Sequence, residues 1–178
     1  MKLRVQTIIL TLFLILPSTV SAVEREARGL ALGTFHSFKG IGLSASIHNL
    51  HSFAVYADTE GIFNGQAVTP GFRISYLYHY SLGDIKANDG SVFHFYAGPG
   101  VTTGLVREKV AFGWMGGVAV GGGAQVLLRE HFLISLEFEG DVAFFFTDDN
   151  NTGATRLKFY NKGIQNAFFP QLRIEYKF

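Results

Sequence analysis

Phe132-Leu133-Ile134-Ser135-Leu136-Glu137-Phe138-Glu139 runs on through Gly140 to Phe146, and its side chains change character at almost every step. Phe132, Ile134, Leu136, Phe138, Val142 and Phe144 share one parity, while Ser135, Glu137, Glu139 and Asp141 share the other. Successive side chains of a β-strand point to opposite faces, so this period of two reads as a strand with one oily and one ionic face. Phe72-Arg73-Ile74-Ser75-Tyr76-Leu77-Tyr78-His79-Tyr80 repeats the pattern, with Phe72, Ile74, Tyr76, Tyr78 and Tyr80 opposite Arg73, Ser75, Leu77 and His79.

The same rule extends along the chain. Ile41, Leu43, Ala45 and Ile47 alternate with Gly42, Ser44, Ser46 and His48, and Phe93, Phe95 and Ala97 with His94, Tyr96 and Gly98. Trp114, Val118 and Val120 oppose Met115, Ala119 and glycines; Phe168, Leu172, Ile174, Tyr176 and Phe178 oppose Gln171, Arg173, Glu175 and Lys177. The expected strands are 29–37, 40–48, 52–60, 70–81, 91–105, 112–127, 131–146 and 165–178, although 29–48 also reads as one kinked strand. Asn49-Leu50-His51 and Leu128-Arg129-Glu130 become short turns at one end, and 147–164 becomes a polar loop at the other. Residues 83–90 are long for a turn at the short end. Pro99, flanked by Gly98 and Gly100, cannot donate a ladder hydrogen bond and suggests a bulge or kink in its strand.

The first residues read differently. Lys2 and Arg4 precede an apolar run over residues 8–16, and Pro17, Ser18 and Val20-Ser21-Ala22 follow, the layout of a cleavable signal peptide. The run is shorter than the roughly 20 apolar residues of a membrane-spanning helix. Residues 1–22 are therefore expected to be a signal peptide and 23–178 one domain. Lys2 and Arg4 leave with the signal, so the 15 basic residues become 13 against 14 acidic ones, and that balance gives no reason to expect nucleic acid. With no cysteine, the fold uses neither disulfides nor thiolate metal sites.

Periodicity does not say which face is inside. Aromatics make up 15 % of the chain, and many sit near strand ends: Tyr76, Tyr78, Tyr80, Phe93, Phe95, Phe112, Trp114, Phe144, Phe146, Tyr176 and Phe178. Such rings form the girdles of membrane barrels. The polar faces carry Tyr56, Asp58, Arg73, His79, His94, Gln125, Glu137, Glu139, Asp141, Arg173, Glu175 and Lys177, with both charge signs available for pairing. The lumen of an eight-strand barrel is just wide enough for side chains to fill. Arg73, Glu137, Glu139, Asp141, Arg173 and Glu175 are thus the expected lumen charge network. Glycines 113, 117, 121 and 123 are expected to make room for Tyr56, Phe145 and Phe169. The fold class is all-β, a closed antiparallel up-and-down transmembrane β-barrel of about eight strands.

The ending Leu172-Arg173-Ile174-Glu175-Tyr176-Lys177-Phe178 resembles the terminal strand signal of bacterial outer-membrane proteins, and the chain from residue 23 onward is similar to the small OmpX/OmpA-type eight-strand barrels. The resemblance implies that Leu172, Ile174, Tyr176 and Phe178 are read by the barrel assembly machinery during biogenesis. It also implies residence in outer-membrane lipid, with the last strand closing against the first.

Chemistry is sparse. The glycine runs 98–104 and 121–123 lack the context of a phosphate loop, and the six histidines lack metal-binding spacing. Asp148-Asp149-Asn150-Asn151-Thr152-Gly153 opens like a calcium loop, but Phe159 stands where the final Glu is needed. His79-Tyr80-Ser81, with Asn88-Asp89 downstream, is faintly similar to the His-x-Ser pair of the outer-membrane lipid A deacylases. In that family the pair sits near the last strands and faces lipid, whereas here it is mid-chain on the Arg73 face. The expectation is a non-enzymatic barrel without cofactor or metal; its extracellular ligand or partner is not named by any residue pattern. A barrel-borne lipid hydrolase and a soluble periplasmic ligand-binding barrel are the alternatives.

Overall fold

A computed structural model describes residues 29–59, 70–88, 91–108, 111–129, 131–148, 155–160, 164 and 167–178. The signal segment 1–22, Asp89 and the loop residues 149–154 lie outside the described residues. Ten strand segments follow one another: β1 (Leu30–Ser37), β2 (Gly40–Ile47), β3 (His51–Asp58), β4 (Gly71–Tyr78), β5 (Tyr80–Lys86), β6 (Val92–Glu108), β7 (Ala111–Leu128), β8 (Phe132–Asp148), β9 (Thr155–Tyr160) and β10 (Pro170–Lys177).

Each segment pairs antiparallel with its neighbour, and β10 bonds both β8 and β1, so the sheet closes on itself. β4 and β5 pair successive parts of β6 and act as one strand; β9 and β10 do the same along β8. The result is a closed up-and-down barrel of eight staves. Carried once round the ring, the registers return to β1 displaced by about ten residues, a stagger that accompanies a strand tilt of roughly 35–45°. The β10–β1 pairing closes the ring, while β5 and β9 extend their staves beyond it and, among the described residues, pair only with β6 and β8.

The alternation seen in the sequence becomes inside and outside. Along β8 the inward positions are Leu133, Ser135, Glu137, Glu139, Asp141, Ala143, Phe145 and Thr147, all buried. Its outward positions Phe132, Leu136, Phe138, Val142, Phe144 and Phe146 are all exposed. The other staves repeat this division: Ile41, Leu43, Phe53, Val55, Phe72, Ile74, Val101, Trp114 and Val118 face outward, whereas Ser44, Ser52, Tyr56, Arg73 and Tyr96 face inward.

Residues 29–48 form the two strands expected there, and the alternative of one kinked strand falls away. Several other expectations change. The turn after β2 is centred one residue earlier than expected: His48 to Leu50 connect the paired Ile47 and His51, with His48 (φ 55°) and Asn49 (φ 53°) both left-handed. Residues 83–90 are not a long turn, because β5 carries the strand on to Lys86. The 147–164 stretch is not one loop either: β8 reaches Asp148 and β9 begins at Thr155.

Pro99 does not bulge its strand. β6 keeps one register against β7 through Gly98, Pro99 and Gly100. The irregularity falls on the partner, where the ladder pauses at His79 between β4 and β5, and a register shift follows between Ser81 and Gly83. Gly83 has φ +146°, a backbone geometry that a side chain would strain.

Glycines shape the lumen wall, with a different allotment from the one expected. Phe145 lies over Gly113 and Leu77 over Gly121, whereas Tyr56 packs on Gly40 and Gly42. Phe169 is outside, 43 % exposed, with its ring 5.3 Å from that of Phe38. A Cβ at Gly123 would land on the Leu136 carbonyl oxygen and 2.8 Å from Glu137 Cα, so β7 and β8 would have to separate. Gly123→Val is therefore expected to cost about 1–3 kcal/mol, as overpacking does. Urea unfolding followed through Trp114, the sole tryptophan, checks this; an unchanged midpoint contradicts the packing described.

Candidate functional site: the ionic lumen

The buried side chains of this barrel are ionic in the middle and apolar towards the loop end. That order comes from β8, which places Glu137, Glu139 and Asp141 inward in succession, followed by Ala143 and Phe145. All six residues of the expected charge network, Arg73, Glu137, Glu139, Asp141, Arg173 and Glu175, are no more than 1 % exposed. The structure brings them together in two layers.

The layer nearer the short turns is centred on Glu137. Arg173 Nη2 donates to Glu137 Oε1 over 2.6 Å, and Tyr96 donates its hydroxyl to Oε2 over 3.0 Å. His79 Nε2 stands 3.5 Å from Oε2, and its ring stacks on Tyr96 with centroids 3.8 Å apart. Ser46 donates to Glu175 Oε2 over 2.7 Å. Four staves thus converge on two carboxylates. Closer to the turn end, Asp84 and His94 are 2.7 Å apart.

The second layer is centred on Asp141. Arg73 Nη2 donates to Asp141 Oδ2 over 3.0 Å, and Arg73 Nη1 lies 3.9 Å from Asp58 Oδ2. The Arg73 guanidinium also sits 5.7 Å from the centre of the Tyr160 ring. Lys39, from the turn between β1 and β2, donates to the Glu139 carbonyl over 3.0 Å, with Glu139 Oε1 and Asp141 Oδ2 each 3.9 Å away. Val106, Met115, Ala143, Phe145 and Tyr160 close the lumen above this layer. Phe35 and Tyr56 stack beside it with centroids 4.6 Å apart.

Buried charges persist when they are paired and hydrogen-bonded, and here Arg173 of β10 meets Glu137 on the adjoining β8 while Arg73 of β4 reaches across the lumen to Asp141 of β8. The arrangement is a filled core, built to hold the barrel in shape. Lys39, Tyr96 and Gln171 belong to it although none is among the six expected charges. Tyr96 shares its parity with His94, so a signal for it was present; Lys39 sits in a turn, where no period marks which way a side chain points. Lys177 is half-buried at the mouth and not in the lumen proper. Among the described residues, no group of three or more His, Cys, Asp or Glu is arranged to hold a metal ion.

The remaining sequence-derived positions fall elsewhere. Leu172, Ile174 and Tyr176 lie on the outer face of β10, and Phe178 packs edge-on to Tyr176 at 5.1 Å. His79 and Ser81 are not brought together as a pair: His79 is buried against Tyr96 and neither of its ring nitrogens hydrogen-bonds to Ser81, which stands at the β5 register shift.

Fold and lumen together define a closed eight-strand barrel with an ionic interior and an apolar exterior. Comparison of the chain with protein-family models, with curated proteins and with solved structures finds no match.

Removing Arg173 would strand Glu137 inside the lumen, and breaking one partner of a buried pair costs about 3–5 kcal/mol. Arg173→Ala is expected to lose stability on that scale. Arg173→Met combined with Glu137→Leu should recover most of it, since neither charge then remains. Chemical unfolding of the three proteins checks this, and a double variant no better than Arg173→Ala contradicts the pairing.

Proposed function

We propose that this chain is an integral outer-membrane β-barrel whose filled lumen serves stability, with a structural or surface-binding role and no role as a diffusion pore. One observation carries the reading: the barrel is inverted. Leu136 and Phe138 are 48 % and 45 % exposed, while Glu137 and Glu139 between and beside them are 0 % and 1 % exposed. A soluble barrel has the opposite arrangement, and a continuous exposed apolar surface of this extent marks contact with a membrane or a partner.

The rings support the same reading. At the short-turn end, Tyr76, Tyr78, Tyr80 and Tyr176 face outward beside His51 and His131, and Tyr76 hydroxyl lies 2.9 Å from His51 Nδ1. Rings with a polar tip settle at a membrane–water interface. At the loop end, Phe112, Trp114, Phe144 and Phe146 form the matching apolar band. Among the described residues, no helix is long and apolar enough to cross a membrane. The resemblance of the last strand to the outer-membrane assembly signal adds a route of biogenesis through the barrel assembly machinery.

Two charged layers and the Phe145–Met115 cluster fill the lumen, which disfavours passage of solutes. The burial of His79 against Tyr96 supports a non-enzymatic reading over lipid hydrolysis. Cell fractionation tests the proposal: the chain should be found in outer membranes and migrate faster in gels before boiling than after. Recovery in the periplasmic extract contradicts it. Mass spectrometry of lipid A from the same membranes should be identical for the natural chain and Ser81→Ala; a deacylated species that vanishes in Ser81→Ala would instead establish a hydrolase.

A further inference from the structure

The outer wall of the barrel is not equally tall all the way round. From His36 the registers lead one way through Ile41, Ala57, Phe72, Leu105 and Trp114 to Phe146, and the other way through Leu172 to Leu136. Those two ends lie ten residues apart on β8, so eight steps round the ring climb ten residues towards the loop end. At a rise of about 3.3 Å per residue and a tilt of roughly 40°, ten residues make ~25 Å of height and each step ~3 Å. Trp114, five steps on, therefore stands about 15 Å nearer the loop end than His36, although both face outward.

On β7 the outward side chains from Leu128 to Phe112 are all apolar or glycine, a run of about 40 Å in height. On β2 the outward run is Ile41, Leu43, Ala45 and Ile47, about 15 Å. Beside it on β1, Leu30 and Leu32 give way to Thr34 and His36, both exposed on the outer face. Both strands then end in a tied turn, where Lys39 N and Gly40 N donate to Ser37 Oγ over 3.0 and 3.3 Å. Phe38 leaves that turn outward and meets Phe169, an aromatic pair at the top of the short wall. The apolar band of a membrane barrel is about 25 Å tall, so the β7 wall exceeds it and the β1–β2 wall falls short of it.

We propose that the β1–β2 wall holds the bilayer thinner than the β7 wall does, and so fits acyl chains shorter or more bent than those beside β7. The inference rests on the membrane reading above. A bilayer of full height at this wall would press acyl chains against Thr34, His36 and the polar backbone of the turn, and a short apolar stretch is accommodated by thinning. Tilting the whole barrel does not cure the difference. The short wall ends below the tall one at the loop end and above it at the other, where Ile47 stands about 8 Å higher than Leu128. The mismatch is a wedge, low on β1 and β2 and tall on β7.

The test places single cysteines at 41 and 47 on β2 and at 118 and 124 on β7, in the full chain, each carrying a fluorophore. Both pairs are six residues apart and level with one another to within about 3 Å. The bilayers are phosphatidylcholine brominated either near the headgroup or near the chain end. Labels at 41 and 47 should both be quenched more by the headgroup-side bromines, and labels at 118 and 124 more by the chain-end bromines. Equal depths for 41 and 118 and for 47 and 124 mean a flat bilayer and overturn the proposal. A shallow label at one of 41 and 47 with a deep label at the other means a tilted barrel, which overturns it too. No quenching at any of the four positions defeats the membrane reading itself, so the two failures are told apart. Positions 43 and 120, on the same faces, replace any labelled variant that does not fold.

Discussion

Glu137 is held by what surrounds it: a guanidinium from β10, a hydroxyl from β6 and an imidazole from the break between β4 and β5. A carboxylate so deeply buried is tolerated only while such partners stay in place. They stay because the ring is closed. β10 is bonded to β8 on one side and β1 on the other, so Arg173 cannot drift from Glu137 without opening the sheet. Backbone closure and lumen pairing are one constraint seen from two directions.

That constraint also explains the outer surface. A sheet closed around eight staves has room inside for one side chain per inward position, and the ionic residues take it. The aliphatic and aromatic residues are left with the outside. The exposed apolar belt is therefore a consequence of where the charges went, and the proposed membrane supplies the environment in which that belt is favourable. Apolar clusters do occur inside, around Phe145 and Phe35, but they flank the charged layers and do not replace them.

Most of the fold was legible because alternation survives wherever strands are regular. In β8 and β10 every residue obeys it, so the faces and the six lumen charges could be read directly. The segments that the sequence hides share a cause. Around Ser81 and Gly83 a register shift breaks the parity, and Gly83-Asp84 imitates a turn, so β5 was hidden. β9 alternates Arg156 and Lys158 with Leu157 and Phe159, but the polar run 148–153 before it gives the whole stretch the composition of a loop. Pro99 is identifiable in sequence, yet which strand yields to it depends on the partner, and the partner yielded. Lys39 was invisible for the simplest reason: a turn has no period, so nothing in the sequence marks that its side chain turns inward to the Glu139 carbonyl.

The orientation of the two faces is the claim most open to direct measurement. The chain has no cysteine, so single cysteines can be placed at positions 136, 137, 138 and 139 and reacted with a probe quenched by labelled acyl chains in bilayers. The account predicts strong quenching at 136 and 138 and little at 137 and 139. Quenching at 137 and 139 with none at 136 and 138 would contradict it.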